Sequence, residues 1–448
     1  MGIAVLKTII KREILEHLKS AKFLIGLAIA LTLASVSTVI NVQDYKVRRQ
    51  DYLAAREEMK SDFFYIRLYR PPQVLSALIQ GKDRKLGNSI VVTYLGIPSR
   101  TSGYMGEGQS RQDRFRSGFG AVDFAFVVRV VLSLLVIFIA YNAVSEEKSA
   151  GTLKLTLSNR VPRDQLLLGK FLGGWVVVIA ALFASSLVSL IIMLSHSFIE
   201  FKAAEWIRFL SYIGLAALYL TVFYTMSLFV SVLVNRPAAA LMILLQAWIF
   251  LIIVYPNLGV VAADNLTKLP SEQQLEQQKA AAFQPYEAEQ KKVSEAFVQG
   301  TEKGEMSKEL ALRDVELWVL KADLSHQVDA EFGRKLTAQM NLARTISSLS
   351  PAVLLDQGAE RYAKTGMAQY ERFMQEVYRY WQKHAERAKL MYADREAYRK
   401  LPPMDFRVAD ESAGEALAAT WLPWLLLAFL SLAFFALAYT AFLRKDVR

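Results

Sequence analysis

The chain has 448 residues, a net charge of +11 and no cysteine, and 53% of its residues are hydrophobic. That apolar share, with a positive mean hydropathy, excludes an ordinary soluble protein and calls for a bilayer as solvent, while the missing cysteines exclude a disulfide framework and a thiolate zinc site. The basic residues are scattered among apolar runs without a nucleic-acid motif, so no nucleic acid is expected and the charge reads as orientation and lipid-surface charge.

In chain order, Ile3, Leu6, Ile10, Ile14 and Leu18 recur at three- and four-residue spacing, with Lys7, Lys11 and Arg12 off that stripe. This predicts an amphipathic helix over 1–20, lying on the cytoplasmic membrane surface. A transmembrane helix needs roughly 20 mostly apolar residues, and the stretches 23–42, 124–144, 171–194, 207–234, 237–261 and 421–443 qualify. The first is read as an uncleaved helix, because the approach to it is long for a signal peptide.

Short segments rich in Lys and Arg stay in the cytoplasm. Those before the first span, between the second and third, at Arg236 and after the last span fall on one side. Both termini are therefore expected in the cytoplasm of a multi-pass inner-membrane protein, with 43–123, the turn 195–206 and 262–420 outside. Arg129 lies well inside the second span, near Asp123. An intramembrane charge is a candidate functional residue; its plain reading is a side chain that snorkels to the outer interface.

The first outer segment opens with a polar, helix-compatible run, 44–60, and then carries Phe63 to Leu68 and Ile90 to Tyr94, which read as short strands. Residues 99–120, rich in Gly, Ser and Arg, read as a loop. In the second outer segment Leu317, Leu320, Leu324, Val328, Phe332, Leu336 and Met340 form one helical stripe, and Tyr370, Phe373, Val377, Trp381 and Met391 a second. Such stripes need covering, by each other or by a second copy, and Ser350-Pro351 marks the break between them. The expected fold class is an all-α polytopic membrane protein, with six transmembrane helices, a mainly helical extracytoplasmic domain and a few short strands.

The cytoplasmic connector 145–170 is the most informative stretch. Glu146 and Glu147 open a short helix where its dipole favours acids. Ala150 and Gly151 make a small face, Leu153 and Leu157 an apolar edge, and residues 159–162 a turn after which Pro162 starts the next helix. A glycine that permits close approach suits a helix seated in another protein's groove; an ordinary loop between spans is the alternative, and composition leaves the two even. Leu168-Gly169-Lys170 is followed by Phe171 and lacks the upstream glycine of a phosphate loop, so nucleotide hydrolysis belongs elsewhere. No hydrolase motif is present.

Glu147, Gly151-Thr152-Leu153, Pro162-Arg163 and Leu168-Gly169-Lys170 together resemble the signature of ABC type-2 permeases. The layout is similar too, with an amphipathic first helix carrying Lys11-Arg12-Glu13. Tyr69-Arg70-Pro71-Pro72, Gly81 to Gly87, Leu349-Ser350-Pro351 and Thr365-Gly366 resemble a branch of that family with large outer insertions.

The resemblance implies that 145–170 is a coupling helix docking on a separate ABC ATPase subunit through Glu146, Glu147, Gly151, Thr152, Leu153, Leu157, Pro162 and Arg163. It also implies an elbow role for the first helix, pairing with a second permease copy, identical or different, and ATP bound by the partner with no cofactor or enzymatic activity in this chain. Compact members have short outer loops, so the insertions raise a second expectation beside export: mechanotransmission to an extracytoplasmic protein partner. A membrane-anchored sensory protein without an ATPase is a third.

Overall fold

The computed structural model describes residues 2–58, 66–93, 96, 122–158, 162–303 and 307–444. The predicted loop 99–120, the first residues of the predicted strand at 63–65, part of the connector turn and the basic tail lie outside the described residues.

Helix α1 (Gly2–Lys19) is followed by α2 (Ala21–Glu58). At about 1.5 Å per residue, α2 is far longer than the roughly 30 Å of hydrocarbon it has to cross. The predicted span 23–42 and polar helix 44–60 are thus one rod. Neither Gly nor Pro stands between them, so hydropathy changes at Asp44 while the backbone has no reason to stop.

The second span, α4, starts as Phe124–Phe126, continues as a π-helix over Val127–Leu132 and returns to α over Ser133–Ala140. Helices α7 (Arg163–Leu194), α8 (Ala203–Leu233) and α16 (Trp421–Arg444) are continuous. Helix α9 runs over Pro237–Ile249, a second π segment at Phe250–Val254, and Tyr255–Leu266. With α2, these make six helices long and apolar enough to cross a membrane.

Helix α8 is the axis of the bundle, with Tyr212, Tyr219, Phe223 and Tyr224 fully buried and α16 packed along it. Glycines set the close crossings. A Cβ at Gly174 would lie 2.1 Å from the Tyr224 hydroxyl, and one at Gly214 2.7 Å from the Trp424 ring.

At one end of the bundle the two insertions build a single domain. Strands β1 (Ile66–Tyr69) and β2 (Ser89–Val92) pair antiparallel, Ile66 opposite Val92 and Tyr69 opposite Ser89. Between them α3 (Asp83–Leu86) supplies Asp83, which pairs with Arg48 of α2 and with Arg70. Helices α10 (Glu272–Lys303) and α11 (Lys308–Ile346) pack against each other. They are followed by α12 (Pro351–Tyr362), α13 (Met367–Ala393) and the short α14 (Arg395–Arg399) and α15 (Ala413–Ala419). Ser350 caps α12, its side chain accepting from the Val353 N–H, which is the predicted break.

Ile66, Leu68, Ile90 and Val92 of the hairpin share one core with Val315 and Val319 of α11 and with Tyr370, Phe373, Val377 and Trp381 of α13. The second predicted stripe is therefore buried except for half-buried Met391. The first is rotated: Leu317 is buried, but Leu320 to Met340 are only half-buried, because Val315 and Val319 point at α13.

In that domain His326 stacks on Tyr378, ring centroids 3.5 Å apart, and the Tyr378 hydroxyl donates to Asp323. Burial pushes the imidazole below its usual 6.5, against the opposing pull of Asp329 and Asp323. The folded domain therefore favours the neutral ring. Its contribution is complete above pH 6.5 and is lost as pH falls below that value. The protection of α11 amides, taken relative to the intrinsic exchange rate at each pH, is expected to fall on acidification from about pH 7 to about pH 5.5 in the native chain, and less in His326→Gln. An equal fall in both would show that the ring does not report pH.

Candidate functional site

The connector lies at the opposite end of the bundle. Instead of one helix it forms two, α5 (Ser145–Ser149) and α6 (Thr152–Ser158). They meet at Gly151, whose φ of +72° is a left-handed conformation that suits glycine. A Cβ there would meet nothing within 4 Å, so within this chain the glycine is needed for the corner and not for a close approach.

The connector is bolted to α8. The Val144 and Ser145 N–H groups donate to Ser231 Oγ at 3.0 and 3.1 Å, and the Lys148 amine donates to the Val232 carbonyl. Leu153 is buried among Val144, Leu166, Leu167, Leu228 and Val232. Of the remaining predicted contact residues, Gly151, Thr152 and Pro162 are exposed and Arg163 donates to the Leu443 carbonyl at 3.1 Å. The Leu157 side chain lies outside the described residues. Leu155, not singled out in the sequence, is 67% exposed.

The two adjacent acids point apart, as their spacing requires. Glu146 accepts from Asn142 at the surface. Glu147 turns inward to Lys170, 2.9 Å away, and the same amine reaches Glu13 of α1 at 2.8 Å. Lys170 is 5% exposed, and its carbonyl accepts from Tyr224 at 2.9 Å.

One ammonium thus holds α1, the connector and α7 together. Helix α1 can come this close because α7 has no side chain in the way: a Cβ at Gly169 would lie 2.5 Å from Ile9, and one at Gly173 2.6 Å from Glu13. The predicted surface helix is consequently docked across α7, with Glu13 buried. Lys170 and Glu13 both stand in motifs visible in the sequence, but nothing local reports that residues so far apart meet.

Between α1, the start of α2, the end of α4 and the connector lies an open groove of about 650 Å³, bordered by Arg12, Glu16, Lys22, Glu146, Thr152 and Leu155. Its rim carries charges of both signs beside one exposed leucine, a pattern that fits a protein surface better than a small ligand.

Arg129 occupies the π segment of α4 and pairs with Asp356 of α12, its guanidinium 2.5 Å from the carboxylate. The snorkelling reading gives way to an ion pair with a helix of the second insertion. Its partner sits 227 residues away, beyond the reach of sequence periodicity.

Residues 7–447 match the family described as "ABC-2 family transporter protein". The chain is also similar to "Probable ABC transporter permease protein NosY" of Stutzerimonas stutzeri, with 29% identity over 132 residues, 29% of this chain and 48% of that protein. The aligned region spans about half the length of that relative.

Proposed function

The chain belongs to the ABC-2 family of transporter proteins and is a transmembrane component of an ABC transporter, and from that premise we propose that it couples ATP hydrolysis in a separate ATPase subunit to export of a substrate. The observation that carries this reading is the connector, anchored on its inner side by Ser231, Lys148 and Lys170 while its corner and Leu155 stand exposed beside the groove. A part that is rigid behind and open in front can transmit a push. ATP on the partner supplies the differential binding that switching between two arrangements requires.

In this reading the connector end and both termini are cytoplasmic, the insertions lie outside the inner membrane, and ATP is bound wholly by the ATPase. Helices α2, α9 and α16 leave most of their apolar side chains less than fully buried, which supports lipid contact and pairing with a second permease copy.

Leu155 is the expected apolar anchor of the ATPase contact. Burying a leucine contributes about 1.5–3 kcal/mol, roughly a ten- to hundredfold change in affinity. Leu155→Asp is expected to lower permease-stimulated ATP turnover by about tenfold or more with membrane insertion intact. Gly151→Ala, strained by about 1–2 kcal/mol at its positive φ, is expected to lower it less. ATP turnover of the reconstituted complex measures both, and native turnover in the two variants together would remove the connector as the docking point.

A second reading, mechanotransmission to an extracytoplasmic partner, is favoured by the way the outer domain is tied to the spans through α12. In liposomes, ATP-dependent solute movement without any outer partner would count against it.

A further inference from the structure

Helix α12 covers only Pro351–Tyr362 and is too short to cross a bilayer, yet it is bonded to four spans. Asp356 pairs with Arg129 of α4. Ser350, at its N-cap, donates to the Leu251 carbonyl of α9 at 2.6 Å. Gly358 admits Leu215 of α8, whose side chain would come within 2.1 Å of a Cβ. The Tyr362 hydroxyl is 2.6 Å from Thr420 Oγ1 and accepts from Trp424 Nε1 of α16 at 2.8 Å.

Two of these meeting points coincide with the π segments of α4 and α9. A π turn breaks the i to i−4 ladder and leaves carbonyls to be satisfied elsewhere, and such turns occur mostly at functional sites. Here the Arg129 carbonyl accepts from the Tyr219 hydroxyl at 2.7 Å, and the Leu251 carbonyl accepts from Ser350. The Arg129 and Asp356 side chains are 33% and 35% exposed, and an ion pair so placed contributes little to stability, so bulk stability does not account for them.

Both neighbours of α12 in the chain are the long outer helices. Helix α11 reaches it through Ser347–Leu349, and α13 leaves it after Lys364, a non-glycine residue held at φ +57°. Displacement of α4, α8 or α9 relative to one another therefore reaches the outer domain through α12, beside the direct contact of α9 with α11, where the Tyr255 hydroxyl donates to the Ile346 carbonyl at 2.7 Å.

We propose that α12 is an outer coupling element, locked to the spans by the Arg129–Asp356 pair, which carries the nucleotide-driven rearrangement of the spans into α11 and α13. This rests on the permease reading above. It adds that the outer domain moves with the ATP cycle and names the helix that moves it.

The chain has no cysteine, so a pair introduced as Gly358→Cys with Leu215→Cys is the only disulfide that can form within it. The test compares the complex with its ATPase subunit, oxidised and reduced, by ATP turnover and by hydrogen exchange of α13 with and without ATP. The expected result is a nucleotide-dependent change in α13 exchange in the native and reduced complexes, reduced by about tenfold on oxidation. A second arm, Arg129→Met with Asp356→Leu, replaces the pair by apolar side chains and is expected to lose the same change while ATP turnover remains.

Equal nucleotide-dependent exchange in the oxidised complex and in the apolar double variant would overturn the proposal and leave the permease reading intact. So would a native complex whose turnover is stimulated but whose α13 exchange ignores ATP. Absence of any stimulated turnover in the native complex would instead sink the permease reading, and this inference with it.

Discussion

Replacing Lys170 by methionine is expected to reduce permease-stimulated ATP turnover to background and to lower the melting temperature of the detergent-solubilised chain. Methionine keeps an unbranched stem but removes the charge, leaving Glu13 and Glu147 facing each other at a site where the amine is 5% exposed. Removing one partner from a buried ion pair costs about 3–5 kcal/mol, against a total stability for a typical domain of about 5–15 kcal/mol. The loss has a direction, because two like charges repel across the contact between α1 and the connector. Helix α1 should leave its seat on Gly169 and Gly173, and the connector should lose its inner brace.

Single neutral changes separate position from stability. In Glu147→Gln, Lys170 keeps Glu13, so the fold should remain near native stability while turnover falls several-fold through a misplaced connector. Glu147→Lys sets a second ammonium beside the first and is expected to behave like Lys170→Met. The triple variant with Gln at 13 and 147 and Met at 170 has no unpaired charge. It should recover most of the melting temperature without recovering turnover. Thermal unfolding and ATP turnover of the same preparations read both quantities, and a Lys170→Met complex with native values of each would show that the triad does not position the connector.

The spans were legible because a bilayer imposes a length of apolar sequence that few soluble elements match, and the connector because Gly151 and Pro162 punctuate it. What stayed hidden is of one kind. Glu147, Lys170 and Glu13 stand in separate motifs, and periodicity describes the face of an element without saying which face it meets. Arg129 stood out as a charge among apolar residues, but Asp356 did not, since an acid in a polar segment carries no signal. The hairpin strands could be read at Ile90 to Val92 from β-branched residues, whereas their burial against Trp381 and Phe373 could not. The π segments have no sequence mark in an apolar run. The continuity of α2 is hidden for the opposite reason: hydropathy at Asp44 records a change of solvent, which in the sequence looks the same as a change of structure.

Arg208→Met is expected to release the returning strap of the outer domain, residues 400–412, from the bundle. Arg208 lies near the start of α8, is 2% exposed, and spends its guanidinium on backbone. It donates to the Glu411 and Ser412 carbonyls, the latter at 2.9 Å, and to the Arg361 carbonyl at 3.3 Å. Each buried carbonyl left unpaired costs about 1–3 kcal/mol. Glu411, buried beside it, would keep only the cations of Arg361 and Arg372. Arg208→Lys should not rescue the site, because an ammonium on a shorter reach cannot serve carbonyls in two directions as a planar fork does.

Two anchors then join the outer domain to α8, the Arg208 fork at the strap and the seat of Gly358 on Leu215. The variant removes one and leaves the other. Limited proteolysis should cut the strap at least about tenfold faster than in the native chain, equivalent to about 1.4 kcal/mol of lost local protection, with the spans still resistant. Equal cleavage rates in Arg208→Met and the native chain would mean that the strap is held by its own contacts with α13. In that case the mechanical connection between bundle and outer domain would rest on α12 and on the contact of α9 with α11.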